Sequence, residues 1–160
     1  MLSWSWATGD DADEFEQFSC SSGAAEPWVR EADAYVRYSV LRRAQYVLSH
    51  RDDSGTLVAV SAFEAIVIGI PLLSPLEHRG WHIQVIAIAV DFQNQSLSQE
   101  VFAATFDAMR QIDPDRVFVT ANVHGKHVVS NRACAKAGLT PWVPLDDVYW
   151  TLLGEVHKPS

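Results

Sequence analysis

The sequence predicts an α/β protein in which a mixed central sheet of six to seven strands is flanked by three to four helices. Two observations indicate this class: segments with helical and with strand periodicity alternate along the chain, and one long apolar strand lies near its middle. The chain has 160 residues, 48% of them hydrophobic, which is enough for a full core. We therefore expect a single domain over residues 1–160, with residues 1–14 flexible or extended because they show no periodicity.

The first half of the chain predicts a helix and then a hairpin. The segment EPWVREADAYVRYSVLRRAQ keeps apolar residues at helical spacing, and Pro27 suits a first helical turn. The segments YVLSH and TLVAVSAFEAIVIGI flank RDDSG, whose Asp and Gly residues favour a turn, so they predict two hairpin strands. The segment PLLSPLEHRG, with two prolines, predicts a loop.

The second half of the chain predicts three more strands and two helices around the central strand. Because WHIQVIAIAV is almost continuously apolar, we expect a central strand covered on both faces. A helix is predicted over SQEVFAATFDAMRQI, ending before Asp113 and Pro114, and RVFVTANV predicts the next strand. The segment VVSNRACAKAG predicts a helix closed by Gly138, and LTPWVPL and VYWTLL predict the last two strands.

Composition excludes several classes of protein. The net charge of −8 argues against general nucleic-acid binding, which depends on Lys and Arg displacing phosphate counterions. Cys20 and Cys134 lie far apart and the histidines have no metal-ligand spacing, so we expect two free thiols and no metal site. No apolar run reaches the roughly 20 residues of a membrane-spanning helix, and no signal peptide is evident. These patterns predict a soluble cytoplasmic protein that does not bind membranes.

One strand–loop–helix joint indicates a function, because such joints commonly hold phosphate groups. The segment AVDFQNQSLSQEVFAATF resembles the corresponding segment of the GNAT N-acetyltransferases, which is usually a Val, a short acidic or polar stretch and then Gln/Arg-x-x-Gly-x-Gly. In this alignment Gln95 takes the Gln/Arg position, and the two glycine positions fall on Ser98 and Glu100. Sliding the alignment by two residues makes Gln93 the first residue and places Ser96 and Ser98 at the glycine positions.

Two further segments are similar to the same family. VHGKHVVSNRACAKAGL matches the length of a later family segment, with His127 in place of an Asn, Cys134 in place of a Tyr and Leu139 in place of a Phe, while Lys136 and Gly138 are retained. FSCSSGAAEPWVREADAYV is similar to the start of the toxin-type members. The resemblance covers roughly residues 15–153. It implies a GNAT fold, acetyl-CoA as cofactor, and acyl transfer to an amine acceptor.

The resemblance also implies where the cofactor binds. In the family, amides of the loop and the following helix start hold the CoA pyrophosphate, and the preceding strand holds the pantetheine arm. The residues implied here are Ile88, Ala89, Val90, Gln95, Ser96, Leu97, Ser98, Gln99, His127 and Ser130. An alternative reading of the loop is a capping box between Ser96 and Gln99, with Glu100 favourable to the helix dipole. In that case the loop would satisfy its own donors and leave none for an anion.

The catalytic groups are harder to assign. Acetyl transfer to an amine needs a base, an oxyanion donor and an acid for the leaving thiolate. In the family, the strand before the loop often carries a Glu base and the last helix a Tyr acid, but QVIAIAV is apolar at the base position. The nearest substitutes are Gln84, His82 and Glu64, of which Glu64 is our candidate base because it lies within a long apolar strand. Tyr149 and Cys134 are the candidate acids.

Each of these candidates also has a purely structural explanation. Glu64 can be an edge residue that faces water, His82 a surface histidine, Cys134 a core residue, and Tyr149 part of the sheet. Three functions therefore stay open. They are a GNAT-type acyltransferase; a non-catalytic binding module or homodimer that uses the aromatic residues Trp4, Trp6, Phe15 and Phe18; and a toxin-like enzyme that acetylates aminoacyl-tRNA, which the acidic charge opposes.

Overall fold

The computed structural model describes residues 1–21, 25–69, 77–93 and 95–156. These residues form a seven-stranded mixed sheet flanked by five helices, which confirms the predicted fold class. The strands are β1 (Ser3–Trp6), β2 (Tyr46–Arg51), β3 (Leu57–Gly69), β4 (Glu77–Ile88), β5 (Phe118–His124), β6 (Thr140–Pro144) and β7 (Tyr149–Glu155). The helices are α1 (Ala12–Gln17), α2 (Pro27–Tyr38), α3 (Val40–Arg43), α4 (Ser98–Ile112) and α5 (Val128–Lys136). The strand order is β1-β2-β3-β4-β5-β7-β6.

The contacts divide the chain into two compact units, of which the first comprises Met1–Phe63 and Gln84–Val101. Here β1 and β3 both pair antiparallel with β2, which confirms the predicted hairpin. Its core is an apolar cluster that includes Phe15 from α1, Val36 from α2 and Val60 from β3. Arg51 joins β2 to α1 through two hydrogen bonds with the Glu14 carboxylate, at 2.5 and 2.9 Å.

The second unit comprises Glu64–Ile83 and Phe102–Ser160. Within it β4 pairs parallel with β5, β5 antiparallel with β7, and β7 antiparallel with β6. Trp81, Met109 and Leu152 are fully buried here. Helix α5 ends as predicted: Gly138 has a φ of 90°, and the amide of Leu139 donates to the carbonyl of Cys134 at 2.9 Å.

Strand β4 differs from the prediction in two respects. It begins at Glu77, so residues 77–80 belong to the strand and not to the predicted loop; residues 71–76 of that loop lie outside the described part. It is central in the sheet order, but its residues from Trp81 to Ile88 alternate between buried and half-buried. The half-buried side chains are those of His82, Gln84, Ile86 and Ile88. The predicted central position of β4 is confirmed, whereas one of its two faces is only partly covered.

The helices match the predicted segments closely from α4 onward. Helix α4 covers the predicted residues 98–112 in full. The single helix predicted after Pro27 is divided into α2 and α3 at Ser39, which has neither helical nor extended backbone angles. The sequence patterns gave no indication of α1. None of the helices described is both long and apolar enough to cross a membrane.

Candidate functional site

The joint between β4 and α4 has a backbone suited to glycine at one position. Strand β4 ends at Ile88, a 3₁₀ turn spans Val90–Phe92, and α4 begins at Ser98. Ser96 has a φ of 59°, and no other described residue besides glycine has a positive φ. A positive φ is the conformation that glycine adopts without steric cost. This supports the alignment in which Gln93 comes first and Ser96 and Ser98 take the glycine positions, so that Glu100 lies beyond the motif.

Several backbone amides at the start of α4 are free. The first four N–H groups of an α-helix have no partner within the helix. The first helical hydrogen bond here runs from the Val101 amide to the Leu97 carbonyl, at 3.0 Å. The amides of Ser96, Leu97, Ser98 and Glu100 have no hydrogen-bond acceptor among the described residues. Within the described part of the chain, nothing therefore competes with an anion for these four amides.

The Glu100 carboxylate is held by the N-terminal segment. Its Oε2 accepts a hydrogen bond from the amide of Leu2, at 3.1 Å. The alternative in which Ser96 caps the helix is wrong, because an N-cap residue normally has extended backbone angles whereas Ser96 is left-handed. The helix also begins two residues after Ser96 and not one. Ser96 is thus not the N-cap residue of α4.

The joint is anchored to the segment around Cys20. The Gln93 amide group donates from Nε2 to the carbonyls of Cys20, at 2.7 Å, and of Ile88, at 2.9 Å. The amide of Val90 donates to the Ser19 carbonyl at 2.9 Å, and that of Ala89 to the Val58 carbonyl at 2.8 Å. The amides of Ala89 and Val90 are therefore engaged within the protein, whereas those of Ser96, Leu97, Ser98 and Glu100 have no acceptor among the described residues.

A cavity of about 350 Å³ lies beside the joint in the first unit. It is lined by Met1, Leu2, Asp52, Asp53, Ser54, Val58, Phe92, Gln95 and Leu97. The Asp52 carboxylate faces its own turn, because Oδ1 accepts from the Ser54 hydroxyl, at 2.6 Å, and from the amides of Ser54 and Thr56, both at 3.0 Å. The bond from the Ser54 hydroxyl is the main cause that lowers the pKa of Asp52. The lining of the cavity therefore combines apolar side chains with the acidic side chains of Asp52 and Asp53.

A second group of candidate residues lies in the second unit. His82 on β4 is directly opposite Thr120 on β5, and its Nδ1 lies 2.9 Å from the Thr120 hydroxyl oxygen. Burial lowers the pKa of His82, and the nearby Glu64 on β3 acts in the opposite direction. Glu64 and His82, two of the residues considered as bases, therefore interact electrostatically. His82 is half-buried. It is therefore not the simple surface histidine that the sequence also allowed.

The end of β5 brings Tyr149 and two histidines into one region. The rings of His124 and Tyr149 meet edge to face, with 5.1 Å between their centroids. His127 is the residue before α5, and its carbonyl accepts from the Asn131 side chain at 2.9 Å. Burial, and secondarily His124, lowers the pKa of His127. Ser130 lies half-buried in the first turn of α5.

Both thiols are buried. Cys134, on α5, is 4% exposed, and burial raises its pKa to about 11. For Cys20, burial and then the Asp33 carboxylate raise the thiol pKa to about 12, while Asp33 also accepts a hydrogen bond from the Cys20 amide at 2.8 Å. A buried, protonated thiol agrees with the structural explanation of Cys134.

Sequence reasoning missed two residues of these sites, Leu2 and Thr120. Leu2 contributes through its backbone amide, which carries no signal in its residue type. Thr120 was placed correctly in a strand, but its pairing with His82 depends on the parallel register of β4 and β5. Register follows from tertiary packing, so one sequence alone did not indicate the pair.

No family model matches this chain, and no curated protein matches it in sequence. Solved structures do match it. A bacterial toxin is 16% identical, with 98% of this chain and 91% of the toxin covered and a TM-score of 0.73. A tyrosine-to-phenylalanine variant of the AtaT toxin, bound to the C-terminus of the antitoxin AtaR, is 10% identical with a TM-score of 0.71, and 97% and 93% of the two chains are covered.

An acetyltransferase of the GNAT family from Listeria monocytogenes is 12% identical, with 96% of this chain and 94% of that chain covered and a TM-score of 0.66. AtaT complexed with acetyl-methionyl-tRNAfMet is 9% identical, with 94% of each chain covered and a TM-score of 0.69. At such low identity the likeness concerns the fold and not the activity. The chain has the fold of the GNAT acetyltransferases.

Proposed function

We propose that the chain is an N-acyltransferase of the GNAT type, which transfers an acetyl or another acyl group from acyl-CoA to an amine by direct attack. The observation that supports this most is the set of free amides at Ser96, Leu97, Ser98 and Glu100. Backbone N–H groups at a helix start, together with the positive end of the helix dipole, bind phosphate groups. The loop retains this capacity although it has no glycine.

Glu100 is the main electrostatic argument against phosphate binding, and its contact with Leu2 weakens that argument. A carboxylate ~6 Å from a phosphate charge costs on the order of 1–3 kcal/mol, whereas a helix end contributes ~0.3–1 kcal/mol. The carboxylate is occupied by the Leu2 amide. With Asp53 also lining the adjoining cavity, we expect weaker CoA binding than a glycine-rich loop would give.

We assign the pantetheine arm to β4. Pairing between β4 and β5 covers residues 80–83 and 118–121 and includes none of residues 84–88. The Gln84 side-chain oxygen is buried without a hydrogen-bond partner among the described residues. A buried acceptor without a donor is costly, so an amide of the cofactor arm or the acceptor amine would stabilise it. Because the Ala89 and Val90 amides are engaged, Ile88, Ala89 and Val90 would contact the arm through other groups.

We assign the acid that protonates the leaving thiolate to Tyr149 and not to Cys134. Tyr149 is half-buried at the start of β7 and packs against His124. The phenol O–H of a tyrosine is a proton donor that can protonate a thiolate. Cys134 is enclosed in the core, and burial raises its pKa, so it is the weaker candidate.

Isothermal titration with CoA and acetyl-CoA tests the proposed function. We expect binding in the micromolar to millimolar range, and at least tenfold weaker binding by Ser98→Asp, because that carboxylate would face the phosphates. Thr140→Asp is the matched control, since it adds the same charge at an exposed residue of β6 and should bind as the unaltered chain does. Absence of heat at millimolar CoA, or equal affinity of both variants, would disprove a phosphate site in this loop.

A non-catalytic binding module is the second candidate. The β6–β7 hairpin exposes Leu145, Val148 and Trp150, and exposed apolar side chains of this size are typical of protein interfaces. The AtaT toxin variant is bound to part of its antitoxin. The finding that would favour this function is a homodimer in analytical ultracentrifugation that Ser98→Asp leaves intact, combined with no CoA binding.

A toxin-like enzyme that acetylates aminoacyl-tRNA is the third candidate. It is supported by the likeness in fold to AtaT, which is known in complex with acetyl-methionyl-tRNAfMet. The net charge of −8 opposes it, because tRNA binding depends on basic surface. Growth arrest on induced expression in the cytoplasm, abolished by Ser98→Asp, would favour this candidate over the other two.

A further inference from the structure

We propose that His82 is the base that takes the proton from the acceptor amine, that its accepting atom is Nε2, and that Thr120 positions the ring by accepting a hydrogen bond from Nδ1–H. This inference rests on the proposed acyl transfer and specifies its proton acceptor. It requires that the imidazole be neutral, correctly oriented and open on its Nε2 side. The contacts of His82 support each requirement in turn.

The hydrogen bonds of Thr120 favour one tautomer of His82. The Thr120 hydroxyl has one proton, and it lies 3.5 Å from the Trp81 carbonyl in a geometry suited to donation. If the proton is directed there, the hydroxyl oxygen accepts from His82 Nδ1, which lies 2.9 Å away. The proton of the neutral ring is then on Nδ1, and Nε2 carries the lone pair.

The Nε2 side of the ring is open. Nε2 has no hydrogen-bond partner among the described residues, and it is not among their buried unpaired atoms. On β4, His82 shares its half-buried face with Gln84, Ile86 and Ile88, none of which can accept a proton at neutral pH. Of these four side chains, His82 is therefore the one able to act as a base.

The surroundings set the charge of the ring. Partial burial lowers the pKa of His82 and keeps the imidazole neutral at pH 7, while the carboxylate of Glu64 from β3 acts in the opposite direction. From β5 the ring faces the uncharged Thr120. Glu64 would also attract an acceptor in its ammonium form and stabilise the imidazolium produced by proton transfer. The preferred acceptor is accordingly a primary amine that is protonated in solution.

The reaction balances with these groups alone. The amine nitrogen forms a bond to the thioester carbonyl carbon, and the C–S bond of acyl-CoA breaks. His82 Nε2 takes the proton lost by the amine, either directly or through one water. The CoA thiolate takes a proton from Tyr149 or from solvent, which leaves an amide and CoA as products.

Nitrogen NMR of the histidine rings tests the tautomer without any need for an acceptor. In the unaltered chain at pH 7.5, we expect the His82 ring to carry its proton on Nδ1, which long-range ¹⁵N–¹H correlation spectra distinguish from the commoner Nε2–H form. Thr120→Val removes the acceptor and should shift the ring toward the Nε2–H form, whereas Thr120→Ser should preserve Nδ1–H. An Nε2–H ring in the unaltered chain would overturn the proposal.

Kinetics test the role in transfer. With acetyl-CoA and, in turn, spermidine, glycinamide or Nα-acetyl-lysine, we expect His82→Gln to lower kcat/KM by 10²- to 10⁴-fold and to remove the acidic limb of the pH profile. Thr120→Val should lower it less, and Thr120→Ser should restore it. Arg132→Gln, an exposed change on α5, is the control and should retain full activity.

Measuring the affinity for CoA distinguishes failure of the proposed acyltransferase function from failure of the proposed role of His82. If the unaltered chain binds no CoA, the proposed function itself fails. If CoA binds equally well to the unaltered chain and to His82→Gln, and both transfer acetyl at the same rate, only the role of His82 fails. If none of the three amines is acetylated, the tautomer measurement decides alone.

Discussion

The backbone amide of Leu2 donates a hydrogen bond to the Glu100 carboxylate, at 3.1 Å, although 98 positions separate the two residues in the sequence. This bond holds the Glu100 carboxylate, which lies at the start of the helix proposed to bind CoA, against the N-terminal segment. Removal of Met1 and Leu2 should free the carboxylate. We expect the CoA dissociation constant, measured by titration calorimetry, to rise up to about tenfold, or about 1.4 kcal/mol.

Glu100→Gln provides the control for this experiment. In the shortened chain it should recover most of the lost affinity, because the repulsive charge is gone. In the full-length chain the same change should have little effect. If the shortened chain binds CoA weakly even with Gln at position 100, the loss comes from the cavity wall that Met1 and Leu2 also form.

Ser96→Gly should stabilise the protein. A non-glycine residue in the left-handed region costs roughly 1–2 kcal/mol, which exceeds the entropy of about 0.5–1 kcal/mol that a glycine loses on folding. With a φ of 59° at Ser96, we expect the free energy of unfolding in urea to increase by about 0.5–1 kcal/mol. Ser98→Gly, at the first helical residue, should lower it; equal effects at both positions would contradict this account.

His50 makes the stability depend on pH. It is fully buried, its Nε2 lies 2.9 Å from the Ser61 hydroxyl oxygen, and its Nδ1 has no partner among the described residues. Burial lowers its pKa to about 4, whereas the unfolded chain has a value near 6.5. Between these values the unfolded state binds the proton more readily, so stability falls as the pH falls from about 6.5 to 4.

The size of this effect follows from the pKa difference. At about 1.36 kcal/mol per pKa unit, the loss for His50 amounts to about 3 kcal/mol. Urea unfolding of the unaltered chain and of His50→Gln at pH 7.5, 6 and 5 measures it as a difference between the two slopes. Parallel slopes would show that His50 does not titrate on unfolding.

Arg116 holds together two strands of the second unit. Its Nη1 donates to the carbonyls of Ile66, at 2.8 Å, and Gly80, at 3.0 Å, and its guanidinium lies over the Trp81 ring, 5.2 Å from the centroid. Lysine cannot reproduce this planar set of donors. We expect Arg116→Lys to lower the free energy of unfolding by about 2 kcal/mol, as measured in urea.

The control for Arg116 is Arg132→Lys on α5, where the side chain is exposed. Surface substitutions of this kind usually change stability by less than about 0.5 kcal/mol. A loss of similar size in both variants would mean that the two carbonyl contacts of Arg116 contribute little.

Periodicity predicted the fold where the pattern was long. Helix α4 and the β2–β3 hairpin follow the predicted segments because repeated apolar spacing specifies them. Helix α1 was missed: it has six residues and a single buried side chain, Phe15, too short a segment to show a period. Strand β4 was predicted to be covered on both faces because isoleucine looks the same in sequence whether it is fully or half buried.

The candidate site was predictable only in its location. The resemblance of residues 89–106 to one family segment indicated the loop between β4 and α4 as the candidate site, but the choice between two alignments depended on the backbone angle of Ser96. The contacts of Leu2 with Glu100 and of Thr120 with His82 join residues that are distant in sequence. Such contacts follow from tertiary packing, which a single sequence does not encode in any local pattern.

Along β4, burial of the side chains alternates between odd-numbered and even-numbered positions. The odd-numbered residues Trp81, Ile83, Val85 and Ala87 are buried, and the even-numbered residues 82–88 are half-buried. A substitution at an odd position therefore tests the packing of the core, and one at an even position tests the proposed contact with the cofactor. Inserting a single residue would exchange the two sets over the rest of the strand, so natural or engineered variation in this segment must occur by replacement and not by change of length.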